Sequence, residues 1–150
     1  MKTTSMLWLL ALVAGALIPV QAAANAALSR SIGGNVPFAA LTLFVVAGIA
    51  TAVAMLFTGA QIPTAAALHS APWWGYTGGF IVAFYVFTIT FLAPRLGVGT
   101  AIALIVAGQV AAALTIDHFG LLRSLTFPLT PSRLAGAALM AAGAFLALRR

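Results

Sequence analysis

The sequence predicts an all-α membrane protein, and two features carry that prediction. Of 150 residues, 63% are hydrophobic and only 5% charged, whereas roughly a quarter of the residues in a water-soluble domain are charged. The apolar residues also fall into five runs separated by short polar or Pro/Gly-containing breaks. Most of the runs approach the roughly 20 residues needed to cross a hydrocarbon core about 30 Å thick. Lipid cannot hydrogen-bond a bare backbone and the runs are longer than barrel strands, so the runs are expected to be helices.

The first span is expected over Met6–Leu28. Lys2, the apolar run Met6–Val20 and the small residues Ala22–Ala26 also fit a secretory signal with A-x-A cleavage sites. The apolar pattern continues to Leu28, however, giving about 23 residues, long for a signal and right for a tilted helix. The segment is therefore read as retained. After the SIGGN turn (Ser31–Asn35), the second span covers Pro37–Phe57. The GAQIP break (Gly59–Pro63) leads to the third span, Trp73–Ala93, which Pro72, Trp73 and Trp74 open where indoles settle at headgroup level. PRLG (Pro94–Gly97) precedes the fourth span, Val98–Ile116, and the stretch Asp117–Ser132, with Pro128 and Pro131, precedes the fifth, Leu134–Leu148. That last run would be only about 22 Å long at 1.5 Å per residue. It must thin the bilayer, begin inside the preceding loop, or sit against partners. The whole chain, 1–150, reads as one integral membrane domain.

Five spans place the termini on opposite sides. Lys2, Arg123 and Arg133 then fall on one side and Arg30, Arg95, Arg149 and Arg150 on the other. Orientation normally follows an excess of Lys and Arg on the cytoplasmic side, and three against four is almost no bias. Such a chain can insert both ways and pair head to tail, as an antiparallel homodimer of ten helices. Inverted repeats of this kind underlie alternating access in many secondary transporters. The cations are scattered singly, which argues against a nucleic-acid surface, and the absence of cysteine excludes disulfides and thiolate chemistry.

Polar side chains inside spans are costly and mark candidate sites. Gln21 and Asn25 are four apart and share a face, just after Pro19; Gln109 follows Gly108 in the fourth span; Tyr85, Thr88 and Thr90 supply hydroxyls in the third. Gln21, Asn25, Tyr85 and Gln109 are the candidate solute-binding residues, against the simpler alternative that the amides join helices, Tyr85 packs as a ring, and threonines bond their own helix. Asp117, the sole acid, sits at the edge of the fourth span beside His118. It is expected to pair with Arg123 or Arg133 or to cap the next turn, with proton handling alongside His118 as the functional alternative. His69 reads as a solvated or interfacial loop residue. No metal-ligand spacing, catalytic set or cofactor signature is present. Gly78, Gly79, Gly136 and Gly143 would permit close helix contact.

The segments PVQAAANAAL (Pro19–Leu28), PWWGYTGG (Pro72–Gly79), PRLGVGTA (Pro94–Ala101) and GQVAAALTIDHFGL (Gly108–Leu121), in this order and spacing, resemble the YdcZ-type family of the drug/metabolite transporter superfamily, relatives of the small multidrug resistance proteins. The resemblance implies five-helix inner-membrane subunits of bacteria that occur as dual-topology homodimers, opposite-topology pairs or fused repeats. It points to Gln21, Asn25, Trp74, Gly78, Gly79, Gln109, Asp117 and Gly120 as pattern positions. The multidrug relatives exchange protons against cations through a first-helix glutamate, which is missing here. Neutral or anionic solutes are therefore the expected cargo of a small secondary transporter. The competing expectation is a non-transporting membrane interaction protein.

Overall fold

The computed structural model describes residues 2–148, with side chains for residues 4–146. Arg149 and Arg150, and the side chain of Lys2, used above in the charge count, lie outside the described residues. Among the described residues there are six α-helices: α1 (Lys2–Ser31), α2 (Val36–Thr58), α3 (Ala65–Ser70), α4 (Gly78–Leu96), α5 (Val98–Phe119) and α6 (Pro131–Leu148), with 3-10 turns at Trp73–Thr77 and Leu121–Arg123. Among the described residues there is no strand. Among the described residues four segments are long and apolar enough to cross a membrane: α1, α2, Trp73–Leu96 and α5; α6 contains a shorter apolar helix. The protein is an all-α, multi-pass membrane protein. The chain divides between Pro94 and Arg95 into two compact units.

In the first unit, α1 continues through Pro19, whose missing N–H leaves the carbonyl of Gly15 without its usual donor. The turn to α2 uses Gly33 and Gly34 at φ +76° and +81°, a region side-chain-bearing residues avoid. The Gly34 N–H closes this turn on the Ser29 carbonyl at 2.8 Å. Asn35 then caps α2, its Oδ1 accepting from the Phe38 N–H at 3.0 Å, with Pro37 in the first turn where no N–H is needed. A connection this short makes α1 and α2 antiparallel neighbours. The expected break before the third span holds the short helix α3, capped by Thr64. The span itself opens as a 3-10 turn, with the Gly75 N–H bonded to the Pro72 carbonyl at 2.9 Å. Glycines at 75, 78 and 79 are poor α-helix formers, which accounts for the delayed start of α4 at Gly78.

In the second unit, α5 and α6 are joined by residues 120–130. The sequence placed Asp117 at the start of a loop; instead α5 runs on to Phe119 and puts Asp117 and His118 in its last turn. Likewise α6 begins at Pro131, three residues before the expected Leu134, because proline at a first helical position sacrifices nothing. Thr130 Oγ1 accepts from the Arg133 N–H at 3.3 Å and caps the helix. At 18 residues α6 is about 27 Å long by the α-helical rise. It thus starts inside the preceding loop, one of the three remedies its short apolar run required.

Gly120 ends α5 at φ +59°, and a Cβ there would lie 2.7 Å from Thr126 Oγ1. Gly120→Ala is therefore expected to lower stability in detergent by about 1–2 kcal/mol or more. Adding Thr126→Ala should recover the steric part and leave the left-handed backbone cost. Thermal unfolding that is unchanged by Gly120→Ala would contradict this.

Candidate functional site

On α1 the buried residues Ala22, Asn25, Ala26 and Ser29 follow i, i+3, i+4, i+7 spacing, and on α4 so do Val86, Ile89, Thr90 and Ala93. Small side chains dominate the α1 stripe, which lets a neighbouring backbone approach. Within these stripes the Asn25 amide nitrogen donates to Thr90 Oγ1 at 3.0 Å, with Asn25 only 5% and Thr90 only 1% exposed. One helical turn before Asn25, the Gln21 side-chain nitrogen is buried with no hydrogen-bond partner among the described residues. An amide donor without an acceptor in a dry setting is expensive, and such groups require an explanation. Tyr85 is half-buried on α4, beside this stripe.

The first unit therefore brings Gln21 and Asn25 onto one face, as their spacing predicts, and engages Asn25 with α4. Gln109 is exposed on α5 in the second unit. Thr90 is the residue that the sequence did not single out from its neighbours. Thr42, Thr51, Thr58 and Thr115 each bond a carbonyl four residues back in their own helix, as expected. Thr90 instead accepts from another helix, and its place in a buried i, i+3, i+4, i+7 set was the available signal. At glycines 78, 79, 108, 136 and 143 a Cβ would meet nothing within 4 Å outside its own helix backbone and chain neighbours, so among the described residues the close contacts they permit are not made.

At the end of α5, Asp117 Oδ2 pairs with Arg133 Nη2 at 2.5 Å, both side chains 32% exposed. Of the two expected partners, Arg133 is the one used; Arg123 is exposed. The other guanidinium nitrogen donates to the Phe127 carbonyl at 2.8 Å. His118 Nδ1 accepts from the Leu129 N–H at 3.2 Å, and its ring meets the Phe119 ring edge-on at 4.7 Å. An open concavity of about 580 Å³ is lined by Asp117, Phe127, Pro128, Thr130 and Arg133. In the first unit an apolar groove of about 330 Å³ runs along Phe84, Phe87 and Phe91. A third hollow lies beside His69, Trp73 and Tyr76, the Tyr76 hydroxyl donating to the Leu68 carbonyl at 2.8 Å. His69 and Trp73 are exposed and Trp74 is half-buried, compatible with an interfacial position. Among the described residues no group of three His, Asp or Glu side chains could hold a metal ion.

Among the described residues the polar groups thus include the interhelical Asn25–Thr90 bond, the buried Gln21 nitrogen without an acceptor, and the one acid, paired with Arg133 at a helix end. The family model described as "Putative inner membrane exporter, YdcZ" matches residues 6–146, from the first turns of α1 almost to the end of α6. The chain belongs to the YdcZ family. No curated protein and no solved structure matches it. The YdcZ description is of an inner-membrane exporter and not of an enzyme class. With its apolar spans, this YdcZ-family chain is a multi-pass protein of the inner membrane.

The Asn25–Thr90 bond gives a measurable coupling. A double-mutant cycle of Asn25→Ala and Thr90→Val, followed by unfolding in detergent, should return about 1 kcal/mol of interaction energy. Strictly additive losses would show that the two side chains meet without stabilising each other.

Proposed function

We propose that the chain is one subunit of a small secondary transporter that moves a neutral or anionic solute by alternating access. In this reading α6 is a fifth span, the termini lie on opposite sides, and two copies inserted in opposite orientations form an antiparallel homodimer of ten helices. Gln21, Asn25, Tyr85 and Gln109 contribute to a cavity between the copies. The near balance of cations across the membrane supports dual insertion, and the exporter description of the family supports transport. The observation that carries the site is Gln21, whose buried amide nitrogen has no acceptor among the described residues. An oxygen of a passing solute would satisfy it.

A cation finds little to hold it. The sole acid, Asp117, lies in the last turn of α5 and is paired with Arg133. The same pairing, together with the acceptor role of His118, gives both residues structural work at the end of α5. We therefore assign neither a direct part in proton exchange.

Purified protein in proteoliposomes is expected to transport members of a panel of short carboxylic acids and sugars, and not the tetraphenylphosphonium cation. Gln21→Ala or Gln109→Ala should lower that flux roughly tenfold, the equivalent of about 1.4 kcal/mol, with the dimer intact by crosslinking. Strong export of the cation, or flux untouched by both substitutions, would contradict the reading. No flux, together with stable co-purification of one larger membrane protein, would favour an interaction protein whose open glycine faces receive that partner.

A further inference from the structure

Residues 120–130 form a closed strap over the end of α5. The Phe127 N–H returns to the Asp117 carbonyl at 2.8 Å, the Ser124 hydroxyl to the Ile116 carbonyl at 3.4 Å, and the Leu129 N–H to His118 Nδ1 at 3.2 Å. Arg133 fastens the far end through Asp117 and the Phe127 carbonyl. These ties hold a turn that the backbone does not favour: besides Gly120, Leu122 and Arg123 sit at φ 56° and 60°. Two adjacent side-chain-bearing residues in the left-handed region store strain that persists only while the surroundings enforce it.

We propose that the strap is a pH-sensitive latch released by protonation of His118. A ring nitrogen that accepts an N–H bond carries no proton, so the latched state requires the neutral imidazole with its hydrogen on Nε2. Adding a proton to Nδ1 sets donor against donor and removes the tie to Leu129. Among groups engaged in the strap, imidazole is the one whose ordinary titration lies between pH 5 and 8; amide, hydroxyl, guanidinium and carboxylate groups ordinarily titrate outside it. Among the described residues, the charged groups at this end of the elements that pack together are Asp117 on α5, Arg123 in the 3-10 turn and Arg133 on α6, and Asp117 is already matched by Arg133. Once Leu129 is free, the strained turn relaxes and the concavity bordered by Phe127, Pro128 and Thr130 changes shape. Acidification on the side of the membrane that holds this strap therefore loosens one end of the second unit. The proposal is independent of whether the protein transports a solute.

Two measurements on the full-length protein in nanodiscs test the latch. The chain has only two histidines, so ¹⁵N-histidine spectra can report the tautomer of His118, with His118→Asn used for assignment. Hydrogen-exchange mass spectrometry from pH 5 to 8, corrected for intrinsic exchange, reports peptides covering residues 124–130. His118 should be the Nε2–H tautomer at pH 8. Protection of the strap should fall about tenfold per pH unit below the imidazole transition. His118→Asn, whose side-chain oxygen can accept the same N–H without titrating, should make protection independent of pH. Strap protection in the unaltered protein that is flat from pH 5 to 8, an Nδ1–H tautomer, or an equal loss in His118→Asn would each overturn the proposal.

Discussion

The absence of water in the hydrocarbon core is the constraint on which the rest of this structure depends. Backbone N–H and carbonyl groups within a span are bonded inside their own helix except where a proline such as Pro19 frees one, and each polar side chain there must find a partner or remain a penalty. Threonines 42, 51 and 115 meet that demand within their own helices. Asn25 and Thr90 meet it by bonding to each other. Groups that need more partners are moved to the ends: Asp117, His118 and Arg133 converge where α5 stops and α6 begins. Among the described residues the Gln21 amide nitrogen is the buried side-chain donor left without an acceptor, and such a group requires an explanation.

Hydropathy made the helices legible because the same constraint operates on composition. The apolar runs correspond to α1, α2, Trp73–Leu96 and α5, with a shorter apolar helix in α6. The boundaries were less legible where one residue type serves two roles. Pro131 read as loop punctuation but opens α6, while Trp73 read as the first turn of an α-helix but opens a 3-10 turn. The Asp117–Arg133 pair could be narrowed to two arginines, since one acid near two cations leaves few choices. The Asn25–Thr90 bond could not, because its partners are 65 residues apart and nothing local to either names the other. The left-handed pair Leu122 and Arg123 had no signal in residue type, since neither is a residue that favours that conformation.

A single copy leaves much apolar surface uncovered, including Leu56, Phe57 and Phe80, each more than 80% exposed. Lipid accounts for such surface in a membrane protein. The glycine positions with open space beside them are the places where a second copy could come closest. The proposed head-to-tail pair would use both.

Orientation is the most direct test of that assembly, and the lack of native cysteine makes it clean. Single cysteines placed at Ala60 and at Ser124, two loop positions, can be labelled in intact cells and in inverted membrane vesicles with a membrane-impermeant maleimide. Dual insertion predicts that each position is labelled from both sides, in comparable fractions of the molecules. Labelling of every molecule from one side only would contradict an antiparallel homodimer.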